Sequence, residues 1–185
     1  PELLRHELRR VAFEFGDGLR TLLRTRRAIG PITSITIDQI GQGLLVTISL
    51  VVFRDQFGGG VASFSNLVGA GGVGVLLGIL TVGKLEERLT KPTIIGGAFV
   101  VGGVIVLGTS AFITDWSVLL ASFAVGLTFA WKKISVDTMV QQAIPDGYRG
   151  RVFSVYDVVY NLARVVAAAL ATPRLGARTR DDRHF

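Results

Sequence analysis

Two stretches of the chain, residues 67–83 and 93–112, contain no charged side chain. A helix on the surface of a soluble bundle carries a polar face, and these two stretches have none to offer. A helix of about 20 apolar residues crosses the hydrocarbon of a bilayer, where its backbone groups bond within the helix. Three further apolar runs, 29–53, 116–140 and 152–172, are also long enough. With 49% hydrophobic and 18% charged residues among 185, the chain reads as all-α, a polytopic membrane helical bundle with about five spanning helices. Residues 1–28 form an amphipathic charged segment before the spans, residues 29–172 carry them, and 173–185 form an atypical tail.

The charge pattern orients this bundle. The net charge is +6, but the arginines gather between apolar runs, which points to membrane topology and away from nucleic acid. Residues 1–28, 84–91 and 149–151 hold seven, three and two Lys or Arg, whereas the two intervening loops together hold only Arg54. By the positive-inside rule the N-terminal segment is cytoplasmic. Trp116 suits an interfacial anchor. The tail, with Arg174, Arg178, Arg180 and Arg183, disagrees with this assignment, since five spans place it outside. There is no cysteine, His6 and His184 lie near opposite ends, and no phosphate-binding loop is present. Metal, cofactor and direct use of ATP are therefore not expected. The chain opens at Pro1 without a signal-peptide pattern and reads as a portion of a longer protein.

Polar residues inside the spans are the candidate functional groups, because a charge at membrane depth costs about 2.5–3.5 kcal/mol on insertion scales and commonly marks a pathway. Ser34, Asp38 and Gln42 recur at i, i+4 and i+8 on one face of the first span. Lys133 and Asp137 lie near the end of the fourth span, and Lys132, on another face, is expected to snorkel to the interface. Ser154, Asp157, Asn161 and Arg164 fall on one face of the fifth. In the second span Gly74 and Gly78 form a GxxxG spacing that permits close helix packing. Residues 54–66 read as a glycine-rich loop.

The connections resemble those of a known family. Gly83, Leu85, Arg88 and Lys91 match the loop motif of the major facilitator superfamily, with Glu87 replacing its Asp; Glu86, Thr90 and Pro92 depart from it. The turn Pro145-Asp146-Gly147-Tyr148-Arg149-Gly150-Arg151 is similar to the family's loop between its tenth and eleventh helices, in the form seen in bacterial drug and siderophore exporters. The resemblance implies that residues 1–172 are the central loop and helices seven to eleven, in the second six-helix half of a twelve-helix transporter. It further implies an N-terminal half as partner, a location in the bacterial plasma membrane, and proton-coupled efflux of small amphiphilic compounds or siderophores by alternating access. In that picture Gly83 permits close approach of two helices. Glu87 and Arg88 bond a neighbouring helix end and release it when the halves tilt, with Lys91, Arg149 and Arg151 completing the gating loops.

One pairing follows from depth. If the fourth span ends near Thr138 and the fifth begins near Val152, Lys133 and Asp157 each lie about five residues inside, roughly 7.5 Å, and are expected to approach each other. Lys133 with Asp137, one turn apart, is the competing pair. Asp38, Gln42, Lys133, Asp137, Asp157, Asn161 and Arg164 are thus the expected substrate and proton pathway. A second class of function, a non-transporting membrane scaffold or accessory subunit that binds a partner through residues 1–28, accounts for the short chain but not for the polar stripes.

Overall fold

A computed structural model describes residues 2–56, 61–112 and 114–181, and the side chains of 6–7, 9–10, 13–45, 64–112, 114–167 and 169–170 among them. The molecule is all-helical, with no strand among the described residues. The helices are α1 (Glu2–Arg24), α2 (Arg26–Gln56), α3 (Val61–Glu86), α4 (Lys91–Ser110), α5 (Asp115–Ala143) and α6 (Arg149–Asp181), with a 3₁₀ turn, Asp146–Tyr148, before α6. Among the described residues, Phe64–Glu86, Lys91–Ser110 and Asp115–Ala143 are long and apolar enough to cross a membrane. Helices α2 and α6, of 31 and 33 residues, are roughly 46 and 50 Å long, and so also exceed the hydrocarbon thickness of about 30 Å.

Two boundaries differ from expectation. The stretch 54–66, read as a loop, is helical at both ends, since α2 continues to Gln56 and α3 begins at Val61; residues 57–60 lie outside the described set. Glycine and polar residues mark a turn in solution, but at a helix end the backbone gains more from its own hydrogen bonds than from a long loop. Beyond the expected end of the fifth span at Thr172, α6 continues through Pro173 to Asp181.

The chain forms two compact units. One comprises Pro1–Val51 and Met139–Phe185, the other Val52–Thr138. In the second unit α3 packs on α5 through glycine. A Cβ at Gly78 would lie 2.7 Å from the Leu127 carbonyl oxygen and 2.6 Å from the Ala130 methyl, and one at Gly74 would overlap the Phe123 carbonyl. The GxxxG spacing is thus the contact surface it was expected to be. The Ser122 hydroxyl donates to the Leu67 carbonyl at 2.8 Å and the Trp131 indole N–H to the Thr81 hydroxyl at 2.9 Å. Successive contacts 67–122, 78–127 and 81–131 advance together, so the two helices run parallel. α5 starts at a reciprocal cap, with the Thr114 N–H donating to Ser117 Oγ at 2.9 Å and the Ser117 N–H to Thr114 Oγ1 at 3.3 Å. Trp116, the expected interfacial anchor, is 81% exposed.

In the first unit, α6 buries Val152, Val155, Tyr156, Tyr160 and Ala167 on one stripe, and α2 buries Ala28, Ile32, Ile35 and Gln39. Tyr156 is its largest fully buried side chain and meets the Phe153 ring edge-on at 5.8 Å. Two glycines bring backbones together here. A Cβ at Gly43 of α2 would sit 2.6 Å from the Arg164 carbonyl oxygen, and one at Gly18 of α1 equally close to that of Arg151. α1 and α2 are separated by Thr25 alone, whose N–H reaches the Thr21 and Leu22 carbonyls and whose hydroxyl donates to Thr21.

Candidate functional site

On α2 the expected polar face borders the packed one. Asp38 is 8% exposed, while Ser34 and Gln42 are half-buried. The Ser34 hydroxyl donates to the Pro31 carbonyl at 2.7 Å, so its polar requirement is met within the helix. Gln39, which the i, i+4, i+8 reading skipped, is more deeply buried than any of the three, at 1%. Its Oε1 has no hydrogen-bond partner among the described residues. Leaving a buried acceptor unsatisfied costs about 1–3 kcal/mol. A glutamine inside an apolar helix was the available signal; its place in the centre of the Ala28–Ile32–Ile35 stripe is visible only when the 3.6-residue period is traced along the buried side.

On α6 the expected polar face stands opposite the buried stripe. Ser154, Asp157, Asn161 and Arg164 are all exposed, as one helical face requires. The Asn161 side-chain amide donates to the Asp157 carbonyl at 2.8 Å and the Ser154 hydroxyl to that of Gly150 at 2.9 Å. Asp157 and Arg164 thus keep their charged groups on a face that the core of this unit does not use.

On α5 the competing pair forms. Lys133 Nζ lies 2.8 Å from Asp137 Oδ1, with both side chains about a quarter exposed. Asp157 belongs to the other unit, and its approach to Lys133 remains an expectation. Lys132 corrects the snorkelling reading. It is 5% exposed, and its ammonium sits 4.5 Å from the centre of the Phe99 ring of α4. The ring's negative face holds the cation beside α4 and keeps the butyl stem inside the unit.

The loops are simpler than expected. Gly83 has open space where a Cβ would be, so it does not permit a close approach; Gly74 and Gly78 do. Glu87 and Arg88 are exposed in the turn after α3, with no side-chain hydrogen bond or ion pair among the described residues. Lys91 is the first residue of α4, half-buried, followed by Pro92 where its missing N–H costs nothing. Glu86, a departure from the motif, is the acid turned inward, and its Oε1 is buried without a partner among the described residues. In the second loop Arg149 holds the turn, with its Nε donating to the Gln141 carbonyl at 3.2 Å and its guanidinium 2.8 Å from Asp146. Arg151 reaches back to Asp17 of α1 at 2.8 Å, a partner that sequence spacing had no means to find across 134 residues.

The family model described as Major Facilitator Superfamily matches residues 8–172. The chain belongs to this superfamily. No curated protein and no solved structure gives a significant match. This major facilitator chain is therefore a membrane-embedded secondary transporter domain, in a family of transporters and not of enzymes. Its helices work in lipid and its family carries small molecules across the bilayer.

Proposed function

We propose that the chain supplies the second half of a proton-coupled exporter of small amphiphilic compounds or siderophores in the bacterial plasma membrane, with its N-terminal segment cytoplasmic and an N-terminal half completing the substrate pathway. The observation that carries this reading is Asp38, a carboxylate 8% exposed within a long apolar helix. Such a group costs free energy to bury and is retained where it binds a cation or moves a proton. Gln42 on the same helix, and Asp157, Asn161 and Arg164 on the free face of α6, extend the polar pathway.

Lys133 and Asp137 form the second element of the proposal. In the alternate state Lys133 pairs with Asp157, and protonation of Asp157 releases Lys133 to Asp137 and biases the two conformations. Glu87, Arg88, Lys91, Arg149 and Arg151 bear the gating role at the cytoplasmic loops, with Gly83 as a hinge position.

The test is transport by the intact protein in proteoliposomes carrying an imposed proton gradient, with cationic dyes and iron-free siderophores as probes. Asp38→Asn is expected to lower gradient-driven movement at least about tenfold, the size of one lost charge-assisted interaction, while exchange without a gradient persists. Full gradient-driven transport by Asp38→Asn would overturn the coupling role. For the second element, the double change Lys133→Asp with Asp157→Lys is expected to recover activity that each single change removes; no recovery removes the direct pair.

A further inference from the structure

Helix α1 uses one side to pack and leaves the other uncovered. Gly18 and Leu22 are buried, and Gly18 meets the backbone of Arg151. At about 100° per residue, the opposite side collects Arg9, Phe13, Arg20, Leu23 and Arg24, all exposed, within an arc of about 140° that begins at Leu19. Phe13 is 75% exposed and Leu23 63%, values that are costly for large apolar side chains facing water. Among the described residues of α1 the acids fall outside this arc. Glu14 is taken by Arg10 at 3.1 Å and Asp17 by Arg151 at 2.8 Å, while Glu7 lies on the packing side. Among the described residues the arc is therefore cationic and apolar with no internal counter-charge.

Its position is set by α6. α1 touches α6 at Arg151, two residues after that helix begins at Arg149, whereas α2 touches it further along, at Arg164. A straight continuation of α1 into α2 would place Gly18 and Gly43 roughly 37 Å apart along one axis. The corresponding interval on α6, Arg151 to Arg164, is only roughly 20 Å. The chain thus turns at Thr25, and α1 crosses the end of α6 and does not extend the span. With α6 as the fifth expected span, a helix held across its start lies at the level of the lipid headgroups.

We infer that α1 is an interfacial helix that docks its Arg9–Phe13–Arg20–Leu23–Arg24 face on anionic lipid headgroups. The arginines meet the phosphates, and Phe13 and Leu23 enter the boundary between headgroups and acyl chains. The reading concerns a surface of the chain and is independent of what the transporter carries.

These residues include no cysteine, so one thiol introduced here is labelled alone once any cysteine elsewhere in the intact protein has been replaced by serine. Gly16 lies within the arc, is exposed, and has open space where a Cβ would be. Gly16→Cys with a polarity-sensitive fluorophore reports on this face, and Gly147→Cys, also exposed and unobstructed, reports on a turn that α1 does not cover. The intact protein is reconstituted in vesicles of phosphatidylcholine alone or mixed with phosphatidylglycerol, and quenching by neutral acrylamide is measured. The expected result is several-fold lower quenching at position 16 in the anionic vesicles only. Raising salt from about 0.1 M to about 1 M shortens the screening length from about 10 Å to about 3 Å and restores quenching. Each of Arg9→Gln, Arg20→Gln and Arg24→Gln should weaken docking by about fivefold, with position 147 unchanged throughout. Equal quenching in both vesicles overturns the proposal. So does protection that is independent of lipid charge and salt, which means apolar insertion alone, or protection that grows with protein density, which means a second copy covers the face.

Discussion

Asp38 and Gln39 are chain neighbours on α2 that bury polar atoms for different reasons. The carboxylate lies at the border of the packed stripe, and the amide lies at its centre with one acceptor unmet. Replacing Gln39 by methionine, similar in length and without the acceptor, is expected to raise the stability of the purified transporter by about 1 kcal/mol or more, measured as its unfolding midpoint in detergent. A fall in transport by the same variant would show that the amide is kept for binding at the expense of stability. Lys133 and Asp137, partly exposed and one turn apart, contribute little to stability, at most about 0.5 kcal/mol. Lys133→Ala should therefore leave the unfolding midpoint nearly unchanged, and any large loss of transport reports on function. At this scale the sequence was partly legible. An ionisable residue in an apolar run announces itself, as Asp38, Lys133 and Asp157 do. The sides on which Gln39 and Lys132 fall depend on neighbours such as Phe99, which no local pattern names.

The helices themselves were legible because their lengths and apolar content leave few alternatives, and α4 and α5 start and stop within a few residues of the expected spans. The contacts between them were legible only where a spacing has a geometric meaning. GxxxG at Gly74 and Gly78 is such a case; Gly83 is not, for its motif resemblance suggested a close approach where there is open space. The contrast predicts opposite outcomes for the same substitution. Gly74→Ala overlaps the Phe123 carbonyl and is expected to destabilise the protein by about 1–3 kcal/mol through overpacking. Gly83→Ala, in a helix and unobstructed, is expected to stabilise it by about 0.4–1 kcal/mol by restricting the unfolded chain. Thermal unfolding of both variants against the parent protein checks the pair.

For the whole molecule, the expected alternation of spans predicts that the turn after α3 and the turn before α6 are reached from one side of the membrane and the turn before α5 from the other. In this cysteine-free chain, Thr90→Cys and Gly147→Cys are expected to react with an impermeant maleimide only from the cytoplasmic face, and Asp115→Cys only from the opposite face. Swapped sides would reverse the orientation, and labelling of all three from one side would mean that α4 and α5 do not cross. The loops also illustrate why long-range partnership escaped the sequence. Arg149 and Arg151 were legible as charges, but Arg151 meets an acid on α1, and only the folded chain brings α1 to the start of α6.

The parallel packing of α3 on α5 has a consequence for synthesis. The glycine face of α3 finds its partner only after α4 and all of α5 have been made, 57 residues beyond Glu86 if α5 is counted to Ala143. At about 5–20 residues per second, α3 waits in the bilayer for roughly 3–11 s with its smoothest surface uncovered. During that interval the glycine face lacks its partner, and a chain stopped after α4 never gains it.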